Sequence, residues 1–79
     1  MIVDVTQMQP GDTGIVREMQ GGRGLIRKLQ SMGVRPGKKL TKVSSHFWHG
    51  PQTVMIDYMQ IAVGFRIAKR IIVELDRCQ

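Results

Sequence analysis

LIRKLQSMGVRPGKKL, Leu25 to Leu40, is the stretch on which the fold turns. Leu25, Leu29 and Met32 recur at helical spacing, while Arg27, Lys28 and Gln30 lie elsewhere on the cylinder. Gly33 follows where a left-handed residue ends a helix. Pro36-Gly37 then has the residues of a type II turn, with proline fixing φ and glycine accepting a positive φ. Leu25 to Met32 is therefore the one good helix, about eight residues long and too short to persist without packing.

Strand-like segments flank it on both sides. Gly14 to Met19 is rich in branched residues, and Pro10-Gly11 marks a turn before it. Lys38 to Phe47 is β-prone with imperfect alternation, which predicts a bulge. Thr53 to Tyr58 alternates, with Val54, Ile56 and Tyr58 on one face. Gln60 to Val63 is a further short strand, Gly64 to Arg70 reads as one helical turn, and Ile71, Val73 and Leu75 point inward from a last strand. Five short strands and one short helix predict a mainly β fold, a small barrel whose closure removes exposed edges.

The chain has 79 residues, so residues 1–79 are expected to form a single domain with a thin core, burying about 60–65% of its unfolded surface. No apolar run approaches the roughly 20 residues that cross a bilayer. The N-terminal residues lack the basic and apolar regions of a signal peptide. Cys78 is the only cysteine and has no internal disulfide partner. A cytoplasmic protein is the expectation.

The net charge is +6, and its placement is uneven. Between Glu18 and Asp57 there is no acidic residue, while Arg23, Arg27, Lys28, Arg35, Lys38, Lys39 and Lys42 fall there. Such a run attracts phosphates, anionic lipid or an acidic protein surface, and equally serves simply to solubilise a small domain.

SHFWHGPQ, Ser45 to Gln52, sets His46 and His49 around Phe47-Trp48. Two histidines begin a metal site, but a tight one needs three or four ligands, and no third has motif spacing. Phe47 and Trp48 point to opposite faces of a strand, so one ring can reach the core while Trp48 serves as an exposed contact. The stretch reads first as a hairpin turn, second as a contact tip and last as a ligand set. Gly22-Arg23-Gly24 lacks the remainder of a phosphate-loop signature. The six carboxylates show no paired spacing for acid-base work, so no enzyme activity and no cofactor are expected.

PGDTGIV, a glycine-rich loop, LIRKLQSMGVRPGKKL, a hairpin closing on GPQTVMI, and QIAVGFRIAKRIIVEL follow one another in an order that resembles the FeoA domain, the ferrous iron transport protein A family. Its most specific parts here are Arg27, Leu29, Gly33, Pro36 and Gly37, with Ala62, Ala68 and Ile71 nearer the end. The resemblance implies an SH3-like β-barrel and a cytoplasmic, non-enzymatic accessory of ferrous iron uptake. Its implied partner is the large membrane permease, FeoB, through a cytoplasmic GTP-binding part. The same domain occurs fused to metal-responsive repressors, but no helix-turn-helix segment is present in this chain. The HFWHG tip is longer and more aromatic than the family pattern.

On this reading the partner-binding candidates are Arg27, Lys28, Arg35, Lys38, Lys39, Lys42, His46, Trp48 and His49. Self-association stays open. The rival readings are a small basic barrel binding RNA or single-stranded DNA, and a metal-sensing module. Against nucleic acid stands the lack of an RNP-type arrangement among Phe47, Trp48, Tyr58 and Phe65.

Overall fold

The computed structural model describes residues 1–45 and 50–75. Six strands form one antiparallel sheet: β1 Ile2–Asp4, β2 Thr13–Met19, β3 Lys39–Ser45, β4 Gln52–Ile56, β5 Met59–Val63 and β6 Ile71–Leu75. Their spatial order is β1-β6-β2-β3-β4-β5. Two helices, α1 Arg23–Ser31 and α2 Phe65–Ala68, and a 3-10 turn at Val5–Gln7 complete the chain.

The helix within the decisive stretch begins two residues before its apolar repeat, with Gly22 as N-cap. Leu29 is its single buried residue, 1% exposed, and Leu25 and Met32 pack partly against the core. Full burial of one such leucine stabilises by about 1.5–3 kcal/mol, which a short helix needs in order to persist. Gly33, at φ +94°, ends it, and the Val34 amide donates back to the Leu29 carbonyl at 2.9 Å. At φ +92°, Gly37 makes the tight turn into β3, its amide donating to Val16 at 2.7 Å.

Alternation does most of the remaining work. Val54 and Ile56 on β4, and Ile71, Val73 and Leu75 on β6, are buried, and their neighbours in sequence are partly exposed. The imperfect pattern of β3 is a register shift between Lys42 and Ser44 against β4. A second shift interrupts β2 against β6 between Val16 and Glu18.

Two expectations need correction. A sixth strand, β1, is present. Its three residues carry too short a pattern to read alone, and it exists through pairing of Ile2, Val3 and Asp4 with Glu74, Val73 and Ile72. Tyr58 does not share the inward face of Val54 and Ile56. Asp57 takes φ +54°, the chain reverses, and Tyr58 is left wholly exposed in a two-residue hairpin loop. The mainly β, SH3-like architecture is as expected; β1 and β5 stand at the two ends of the hydrogen-bonded ladder, and among the described residues backbone pairing does not join them. The 3-10 turn and α2 lie against one another instead, bringing Val5 and Ala68 into the core.

Candidate functional surface

The candidate cations divide among three elements. Arg27 and Lys28 are exposed on α1, Arg35 is exposed in the connector after it, and Lys38 and Lys39 lie where β3 begins. Lys38 Nζ pairs with Asp57 Oδ2 at 3.1 Å across the β3–β4 hairpin, so part of its charge is already balanced. Lys39 is free of the core and lines a shallow depression of about 360 Å³ with Thr41, Met55, Asp57 and Tyr58. This places Lys39 beside an exposed ring and a methionine on the outer face of the sheet. Such mixed surface suits protein contact, because aromatic and methionine side chains supply area while charge sets orientation.

Lys42 leaves the candidate set. It is 1% exposed, and its Nζ donates to the backbone carbonyls of Val5 at 2.7 Å and Met8 at 3.1 Å. The reason is the pleat: Leu40 and Lys42 are two apart on β3 and share its core side. The long stem crosses apolar ground and its ammonium ends under the 3-10 turn. Burial lowers its pKa, and the charges of Asp4 and Asp12 oppose that shift.

His46, Trp48 and His49, proposed as contacts, lie outside the described residues, as do Phe47 and Cys78. Among the described residues no three of His, Cys, Asp and Glu gather in a group that could hold a metal ion.

A second depression, lined by cations, lies outside the basic run between Arg23 and Lys42. Arg66, Lys69 and Arg70, with Gln20, line a cleft of about 310 Å³ at the end of α2. The sequence signal is the spacing of the three cations at i, i+3 and i+4 within GFRIAKR; in the structure Arg66 is on α2, Lys69 caps it and Arg70 lies in the turn that follows.

Comparison with known proteins settles the family. The FeoA domain model matches residues 3–75, nearly all of the described chain. The chain belongs to the FeoA domain family. A protein of Methanocaldococcus jannaschii named as an Fe(2+) transport protein A is 33% identical over 64 residues, spanning 81% of this chain and 76% of the relative. A crystal structure of an iron uptake regulatory protein, FeoA, superposes with a TM-score of 0.89 at 36% identity, covering 95% of this chain and 99% of the other. A manganese-dependent transcriptional repressor matches with a TM-score of 0.84 at 23% identity, covering 91% of this chain and 40% of the repressor. That last likeness shows a shared fold.

Membership places this FeoA chain among the non-enzymatic accessory proteins of ferrous iron transport, with the SH3-like fold. No described helix of this FeoA domain is long and apolar enough to cross a membrane.

Proposed function

We propose that this chain is a cytoplasmic adaptor that binds the GTP-binding part of the ferrous iron permease, FeoB, and modulates its transport or GTP turnover. The observation that carries the reading is the match of residues 3–75 to the FeoA domain, since it links the whole domain to ferrous iron transport.

Arg27, Lys28, Arg35 and Lys39 are the cations proposed to face the partner. Their charge steers encounter with an acidic surface and acts mainly on the association rate, with little effect on dissociation. Lys38 contributes less, because its pair with Asp57 must be given up or shared on docking. Lys42 contributes nothing directly, since its ammonium is buried.

The test is titration of the chain against the isolated cytoplasmic domain of the permease, with and without GTP and Fe²⁺. Saturable binding that weakens as salt rises supports the adaptor. Absence of binding in all four conditions removes it.

A further inference from the structure

The cleft formed by Gln20, Arg66, Lys69 and Arg70 lies outside the basic run used above, and its construction differs from a scatter of surface charge. The backbone fixes it: the Gln20 amide donates to the Arg70 carbonyl at 2.8 Å, tying the end of β2 to the end of α2. Gly21 lies directly beside Arg70. A Cβ built there meets Arg70 Cδ at 3.6 Å, one of its guanidinium nitrogens at 3.7 Å and Leu25 Cδ2 at 2.9 Å. The glycine thus lets the guanidinium lie close to the main chain. Lys69 Nζ stands 5.7 Å from the Phe65 ring centroid, which favours one placement of its ammonium.

Among the described residues no carboxylate lies within ion-pair distance of these charges. Between Met19 and Val73 the sequence has ten of its twelve basic side chains and one acidic side chain, Asp57. Asp57 is bound to Lys38, and Glu74 is bound to Arg17 at 2.8 Å. Among the described residues none of Arg66, Lys69 and Arg70 takes part in an ion pair. Three like charges gathered at the end of α2 repel each other, and a bound anion removes that cost.

We propose that this cleft binds an oligophosphate, the phosphate chain of a free polyphosphate or of a nucleotide. Two guanidinium forks match phosphoryl oxygens in pairs, the ammonium adds a compact charge, and the side-chain carboxamide of Gln20 offers a further donor. Three cations in one open cleft suit a ligand with several charges in a small volume better than a single carboxylate.

The experiment uses the full chain with tripolyphosphate as probe, followed by amide NMR and calorimetry, beside arms with inorganic phosphate, ATP and a heptaglutamate peptide. Tripolyphosphate should bind saturably, shift the amides of Gln20, Gly21 and residues 66–70, and outcompete inorganic phosphate. Arg66→Gln and Arg70→Gln should each weaken it about tenfold, the worth of one charged hydrogen bond. Lys28→Gln, which removes the same charge from α1, should leave it nearly unchanged. Thermal melts of the three variants establish that each is folded. ATP binding more tightly than tripolyphosphate points to a nucleotide as the source, and ATP binding no more tightly points to a free chain. The proposal is overturned by equal losses in Lys28→Gln and Arg70→Gln, by shifts elsewhere, or by heptaglutamate binding as tightly as tripolyphosphate.

Discussion

Lys42 Nζ donates to the Val5 carbonyl at 2.7 Å, joining the middle of β3 to the 3-10 turn thirty-seven residues earlier. The backbone of the same lysine is tied to the neighbouring loop: its amide donates to Asp12 and its carbonyl accepts from Gly11, each at 2.8 Å. Asp4 caps the turn from the other side, its carboxylate accepting from the amides of Thr6 at 2.8 Å and Gln7 at 3.2 Å. The segment from Asp4 to Asp12 is thereby held by polar contacts as well as by Val5 and Met8 in the core.

Replacing Lys42 by alanine removes the stem, opens a cavity and leaves the two carbonyls short of a donor. The expected loss is about 3 kcal/mol of stability, read from urea denaturation. A loss below about 0.5 kcal/mol, the level of an ordinary surface substitution, would show that the ammonium does not hold the turn.

The lowered pKa of Lys42 has a definite sign. The unfolded chain keeps that proton up to the ordinary value of 10.5, whereas the folded chain releases it at lower pH. Between the two values the unfolded state holds more protons, so the contribution of Lys42 to stability rises with pH across that window and is level above it. Wild type should therefore gain stability relative to Lys42→Met between pH 7 and pH 10.5. A relative loss over the same interval would contradict the burial of the charge.

Two glycines separate backbone strain from crowding. Gly37→Ala meets nothing within 4 Å and is strained only through φ +92°, so it should cost about 1 kcal/mol and lower the melting temperature by about 4–8 °C. Gly14→Ala places a Cβ 2.5 Å from both the Glu74 carbonyl oxygen and Val73 Cγ1, and must push β2 away from β6. That should cost about 3 kcal/mol or more, in the range of overpacked cores. Equal melting temperatures for the two variants would refute the close approach of these strands.

Charge reversal on α1 tests the docking surface. The double variant Arg27→Glu, Lys28→Glu leaves Leu29 in place and should slow association with the cytoplasmic domain of the permease about tenfold at low salt, with a smaller effect on dissociation. Stopped-flow or surface-binding kinetics distinguish the two. An unchanged association rate would move the interface away from α1.

Trp48→Ala tests the hairpin tip, on sequence grounds alone. If the ring anchors the partner, binding should weaken by about 2 kcal/mol, roughly thirtyfold. Unaltered affinity would take the tip out of the interface.

The local grammar of the chain fixed most of its elements before any tertiary contact was considered. Gly33 and Gly37 are at positive φ because proline-glycine and helix-end chemistry act over a few residues, and the inward faces of β4 and β6 follow from alternation. The bulge in β3 announced itself as a broken alternation for the same reason. What tertiary structure alone decided were properties that depend on distant partners. β1 exists by pairing with β6, seventy residues later in the chain. Lys42 looked like one more cation in a basic run, and only the inward pleat of β3 beneath Val5 and Met8 turns it into a core residue. The three cations after Phe65 became a cleft when the Gln20–Arg70 bond brought β2 to α2, a juxtaposition with no local signal. Charge is written residue by residue in a sequence, but whether it is buried, paired or left facing water is set by what the fold places next to it.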